Sequence, residues 1–495
     1  MLFLTALLPI LGVFIFLFFF KQTTLRAGIF SYVLTILITL LYPGFHLAPE
    51  HIILSSIKGI LIAFIAAYVL FFGIFLFHLM NSIGGIQSIA SSISQATNDR
   101  ILQVMTLVIG LSPLLESTSG FGIAFMVVTP IFVALGFAPR KAILLGLISL
   151  LAVPWGALAT GTVIGGELVR TPLRNLGVGT AIISIPVFLY FLVVAVLIAG
   201  GVDALKSKWK EIILLSAIFS IAIVFFNAFV SVELAGVLSS LITTGIGFLL
   251  MKLKKSKSID SYDNTVINIS LWKAVSPYII LTIFIFLTRL FPPFREFLLS
   301  YGVISLPSLS FSMALLYSPG FWLFVTCLLA IFIFKIPKNF ITQSLKKTII
   351  HWVPFIISTS AFIGISEIMA EAGMTTLLAN VSAAIFGTSF FLISPFIGAI
   401  GGFLTGSNTG SNAMFIKLQT QTALQVGVSD EVISFAQNAS SSHATMASPA
   451  RVALGTTLCG IKSQENILLK KISLIVLGAI LLIIFVLMCW IYWMG

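Results

Sequence analysis

The sequence predicts an all-α polytopic membrane protein, with roughly twelve transmembrane helices in two inverted-topology repeats, each holding a re-entrant hairpin and an interrupted helix. Three observations lead there. Hydrophobic residues make up 59% of the chain and charged residues 8%, the basic residues gather beside apolar windows, and two polar glycine-bearing clusters recur at one offset in the two halves.

A chain this apolar has too little polar surface to cover a water-soluble globule, so its solvent is lipid. A bilayer core of about 30 Å takes about 20 apolar residues as helix. The windows 2–20, 60–80 and 472–493 have that length. Strand-type alternation is absent, which favours helices over a closed barrel. The first window has no basic residue before it and no small-residue cleavage site after it, so it is expected to remain as a helix.

The formal charge of +12 would suit nucleic acid or anionic lipid. Its carriers, however, sit in short loops: Lys21 and Arg26, then Lys206, Lys208 and Lys210, then the stretches 252–257 and 335–347, then Lys462, Lys470 and Lys471. Cytoplasmic loops of a multi-pass inner-membrane protein account for them, with lipid as the surrounding partner and no nucleic acid implied. Cys327, Cys459 and Cys489 lie far apart in apolar stretches, which fits neither a disulfide framework nor a metal site. No metal and no cofactor are expected. Without a Walker motif, an HExxH pair or a nucleophile elbow, the chain is not expected to be an enzyme.

The polar run 252–276 separates an N-terminal half, 1–251, from a C-terminal half, 277–495. Met80, Gly84 and Ala90 match Met369, Gly373 and Ala379 at one constant offset, which also carries Glu116 onto Thr405. That superposes Glu116-Ser-Thr-Ser-Gly-Phe-Gly122 on Thr405-Gly-Ser-Asn-Thr-Gly-Ser-Asn412. The basic loops make the window before the first cluster run inward and the window before the second run outward, so the repeat is inverted. Chance identity of small residues is the plain alternative.

Backbone that leaves the helix inside a membrane survives only where protein or a wet cavity supplies partners. The two clusters are therefore expected as hairpin tips, the first within about 101–137 and the second within about 388–427. The first turns at 117–122 and the second at 406–412. An interrupted helix follows each tip, at about 142–168 and about 431–460. Their polar stretches are Pro154-Trp-Gly-Ala-Leu-Ala-Thr-Gly-Thr162 and Asn438-Ala-Ser-Ser-Ser-His-Ala-Thr-Met-Ala-Ser-Pro-Ala-Arg451.

Hydroxyls, amides and free N–H groups at such tips suit a small organic anion. The candidate binding residues are Ser117, Thr118, Ser119 and Gly120 in the first tip, and Thr405, Gly406, Ser407, Asn408, Thr409, Ser411 and Asn412 in the second. Alternatively the hydroxyls bond their own backbones and the small residues let helices approach. Glu116 is the candidate proton carrier, because an ionisable group at membrane depth is costly and usually functional. It is otherwise a fixed helix cap. His443 and Arg451 are the candidate cations for the anion, ahead of Lys417, which can also snorkel.

At these residues the chain resembles the lactate permease family. Gly402-Phe-Leu-Thr-Gly-Ser-Asn-Thr-Gly-Ser-Asn-Ala-Met-Phe415, followed by Leu418 and Gln419, is similar to that family's glycine-serine-threonine-asparagine signature. Glu116 with Gly120, Phe121 and Gly122 is similar to its Glu-Gly-Ala-Ala-Gly-Phe-Gly stretch. Ala372-Gly373-Met374, Trp155-Gly156-Ala157 and Ser448-Pro449 match further blocks in order, so the resemblance spans both halves. The departures fall at the tips. Asn408 stands where the family has an acid, Ser117 to Ser119 are more polar than its Gly-Ala-Ala, Thr445 replaces a lysine, and Arg451 adds a cation.

The resemblance implies proton-coupled secondary transport of a small monocarboxylate such as L-lactate or glycolate. A sodium-coupled carrier of another organic anion, a sulfonate or dicarboxylate, is the second expectation, because hydroxyls and exposed carbonyls suit that ion. A non-transporting membrane sensor or structural partner is the third. Paired-hairpin anion transporters, whose tips are similar, also suggest a homodimer by analogy of fold.

Overall fold

The computed structural model describes residues 1–94, 96–120, 122–253, 269–309 and 311–494. Most of the linker expected at 252–276 lies outside the described residues, as does Phe121 of the first tip. Among the described residues nine helices are long and apolar enough to cross a bilayer, and the bent pair Pro139–Ile148 and Val153–Val169 makes a tenth if it is one broken span.

One of the nine, Leu173–Phe229, doubles back on itself. Gly201 within it has φ +72 and ψ −165, a backbone state that a side chain all but forbids. Beyond it the two limbs pack together. Phe188 meets Phe219 edge to face at 5.0 Å, and Asn227 lies against Gly177. Lys206, Lys208 and Lys210 open the returning limb, where Lys208 pairs with Asp99.

Two helices of 34 residues, Pro49–Ser82 and Lys338–Glu371, lie side by side and antiparallel. Lys58 meets Glu367 at 2.9 Å. Trp352 donates its indole N–H to the Ala67 carbonyl at 2.7 Å, and His78 stacks on His351 at 5.5 Å. Where they cross, a Cβ on Gly59 would stand 2.8 Å from the Gly364 nitrogen. The backbones touch there because only small residues permit it, the usual basis of helix association in lipid. Each helix is followed by a left-handed glycine, Gly84 at φ +78 and Gly373 at φ +75, the same two positions that match at the constant offset.

Two hairpins flank this pair. In the first, Arg100–Ser119 enters and Ile123–Ala134 returns. The Arg100 guanidinium comes within 3.6 Å of where a Cβ on Gly136 would stand, so the return limb ends at the level where the first began. In the second, Phe390–Thr405 enters and Asn408–Gln425 returns. Ser411 donates to the Gly398 carbonyl at 3.2 Å and Ser394 bonds Gln419, which holds the limbs antiparallel.

Each hairpin is followed by a broken helix. Pro139–Ile148 gives way through the turn Val153–Trp155 to Gly156–Val169, with a bend of 58°. Asp430–Ala444 gives way through the turn Thr445–Ala447 to Pro449–Leu458. Proline at the head of that last segment suits a helix start, where its missing N–H has no role. A short antiparallel ribbon pairs Val303–Leu306 with Phe311–Ala314. Its first strand is exposed throughout, so the pairing serves a connection rather than a span.

Candidate functional site

The first hairpin breaks at two glycines, of which Gly120 has a backbone geometry that a side chain all but forbids. Gly120 has φ +65 with ψ −168, and Gly122 has φ +72. Glu116, one turn before the break, is buried and sends its carboxylate across the gap. Both oxygens accept from the Gly122 N–H at 3.1 Å. An acid at the start of the return helix meets the positive end of its dipole, so Glu116 holds the tip together as it faces the cavity.

The turn is tighter than expected. Residues 117–119 remain helical, because Thr118 donates to the Leu114 carbonyl at 3.0 Å and Ser119 to that of Leu115 at 2.5 Å. Ser117 faces Gly236 and Trp155, with its hydroxyl unpartnered. The first tip therefore offers the cavity Gly120 and Glu116, while Ser117, Thr118 and Ser119 turn away.

The second hairpin also turns on a left-handed glycine, Gly406 at φ +63. Ser407 caps the return helix by accepting from the Gly410 N–H at 3.3 Å. Helix resumes at Asn408, so the expected turn over 406–412 contracts to its first two residues. The first amides of that helix, at Asn408 and Thr409, have no partner within it.

Arg451, in the first turn of Pro449–Leu458, lies between the two tips. It donates to the Gly406 carbonyl and to Thr445 Oγ1, both at 3.0 Å. Its Nε stands 3.2 Å from where a Cβ on Gly122 would be. The third wall is the first interrupted helix, where Ala157, Leu158 and Ala159 form a left-handed turn with φ between 37 and 67. Such residues cost roughly 1–2 kcal/mol each. Ala157 presses against Gly120, and a Cβ there would stand 2.8 Å away.

Together these elements enclose a cavity of about 30 Å³, lined by Glu116, Gly120, Gly156, Ala157, Thr160, Gly406, Ser407, Asn408, Thr409 and Arg451, with Val153. That is room for a water molecule or two. Glu116 and Arg451 bring groups of opposite charge to one enclosure.

The remaining candidates are placed elsewhere. Thr405 bonds the Gly401 and Ser407 carbonyls, each at 2.8 Å. Ser411 and Asn412 are buried among Gly398, Gln437, Gly161 and Asn438. His443 reaches Ser184 at 3.2 Å and is flanked by Phe188 and Phe191, off the cavity wall. Lys417 pairs with Glu367 at 2.5 Å, and Lys58 shares that carboxylate. Glu367 is thus the buried centre of three charges.

Thr160 and the left-handed turn were not among the sequence candidates. Their stretch read as polar and broken, but nothing in it marked which residues would face inward.

The profile of the L-lactate permease family matches residues 2–493. The chain belongs to the L-lactate permease family. Relatives in that family include the glycolate permease of Escherichia coli strain K12, 26% identical over 94% of this chain and 91% of that protein. The L-lactate permease of Halalkalibacterium halodurans is 25% identical over 94% of this chain and 92% of that protein. A putative L-lactate permease of Haemophilus influenzae is 27% identical over 92% of this chain and 93% of its own length. For this permease-family chain the cavity between the two tips is the candidate substrate site.

Proposed function

We propose that the protein carries a small monocarboxylate, such as L-lactate or glycolate, across the cytoplasmic membrane together with a proton. The observation that carries this is the enclosure itself: one arginine, one carboxyl group and the unpartnered amides of a helix start, brought together by two broken hairpins. The substrate carboxylate takes the Arg451 fork in place of the Gly406 carbonyl and Thr445. The Asn408 and Thr409 amides complete its shell, as helix N-termini do for anions. Thr160 and Ser407, which line the same cavity, take the substrate hydroxyl. At its present volume the cavity cannot hold lactate, so binding requires the tips to part.

Charge balance supplies the coupling. The empty site holds Arg451 and Glu116 and is neutral; an added carboxylate leaves one uncompensated negative charge in a low-dielectric enclosure, which is expensive. A proton on Glu116 removes it. Substrate and proton therefore enter as a pair, and the loaded site has the same net charge as the empty one. Two inverted repeats then expose the site alternately to each side. Their support is the antiparallel pair of 34-residue helices, each followed by a left-handed glycine at matching positions.

Reconstituted vesicles test the proposal. Labelled L-lactate or glycolate should accumulate under an inward proton gradient. Glu116→Gln, which keeps an oxygen for the Gly122 N–H, should lose that accumulation yet retain exchange of internal for external substrate. Uptake no greater than in protein-free vesicles for both compounds would rule out the cargo, and proton-driven accumulation by Glu116→Gln would rule out the coupling.

A further inference from the structure

Asn438 is wholly buried and forms no part of the cavity wall. Its carboxamide oxygen accepts from Asn408 Nδ2 at 2.9 Å and from Asn412 Nδ2 at 2.8 Å. Its nitrogen donates to Thr162 Oγ1 at 3.0 Å and to Thr180 Oγ1 at 2.9 Å. Every hydrogen-bonding position of the carboxamide is used. One side chain thus ties together the return limb of the second hairpin, the first interrupted helix and the helix that begins at Leu173.

Two backbone carbonyls set the direction of these bonds. Asn412 gives an N–H to the Gly161 carbonyl at 3.0 Å, which fixes its nitrogen towards Asn438. Thr162 gives its hydroxyl proton to the Pro154 carbonyl at 2.5 Å, which leaves a lone pair for Asn438 Nδ2. Reversing the Asn438 amide would set N–H against N–H on one side and oxygen against oxygen on the other.

Asn408 transmits this order to the cavity. Its oxygen accepts from Ser441 at 2.6 Å. Its nitrogen lies 2.6 Å from where a Cβ on Gly161 would stand, so the side chain is seated on bare backbone. Held by Asn438 and Ser441, that side chain anchors the start of the return helix.

We propose that Asn438 is a positioning residue for the carboxylate site: it fixes the first turn of Asn408–Gln425, so that the Asn408 and Thr409 amides share the cavity with Arg451. The inference rests on the monocarboxylate reading only for the identity of what those amides hold.

Two readouts test it in the full-length protein. Without ligand, hydrogen exchange of the 408–411 amides should quicken in Asn438→Ala relative to the rest of the chain. In vesicles, the KM for L-lactate should rise about tenfold with the maximal rate within about threefold of wild type. Thr162→Val, which keeps the shape of the side chain and removes only its hydroxyl, should act in the same direction and serves if Asn438→Ala does not fold. The double variant should be no worse than Asn438→Ala alone to within about twofold, because both remove one network. Unchanged exchange, quickened exchange with a wild-type KM, or multiplicative effects would each overturn the proposal. If wild-type protein transports neither L-lactate nor glycolate, the cargo is wrong, and the ligand-free exchange measurement still decides on Asn438.

Discussion

Arg451 touches both tips at once, and that makes it more than a source of charge. Its fork donates to Gly406 and to Thr445, so a carboxylate can replace two acceptors with two of its own. Arg451→Lys keeps the charge but loses the planar fork, and should raise the KM for L-lactate about tenfold or more; an unchanged KM measured in vesicle uptake would remove the fork from the site. Glu116 and Arg451 stand out in the sequence because charges are rare in so apolar a chain, and both line the cavity. The role of the tip hydroxyls was not legible there. Thr118, Ser119 and Thr405 bond carbonyls of their own helix turn, a local option that composition cannot distinguish from ligand binding. His443 likewise had a sequence setting suited to a site, yet aromatic rings and Ser184 surround it.

Between elements, a polar junction outside the cavity joins Glu367 with Lys417 at 2.5 Å and Lys58 at 2.9 Å. It joins the return limb of the second hairpin to both long central helices. Glu367→Gln would leave two lysines facing each other with no counter-charge, and breaking such a partly buried group costs about 3 kcal/mol. Thermal unfolding of the detergent-solubilised variant should therefore begin several degrees lower, since about 1 kcal/mol moves the midpoint by 2–4 °C in domains of 150–250 residues; an unshifted midpoint would show the triad to be dispensable. Helices and breaks at this scale were largely readable. Apolar length gave the spans, and glycine clusters gave the turns at Gly120 and Gly406. Turn length was misjudged because Ser407 caps its helix at once, and the left-handed turn at 157–159 had no signature, being built from Ala and Leu that ordinarily favour right-handed helix.

For the molecule as a whole, composition alone was enough to assign lipid as the solvent, whereas the meeting of distant segments had to come from the fold. Asn412 bonding Gly161, and Asn438 bonding Thr162, join stretches of the two halves that nothing in their sequence pairs. These contacts bring two broken helices that are distant in the chain around one small enclosure. The most direct measurement is a structure of the protein with saturating L-lactate. The predicted density has its carboxylate against the Arg451 guanidinium and the Asn408 and Thr409 amides, with the two tips drawn apart to admit it. Ligand density remote from both tips, with Arg451 still bonded to Gly406 and Thr445, would contradict the account.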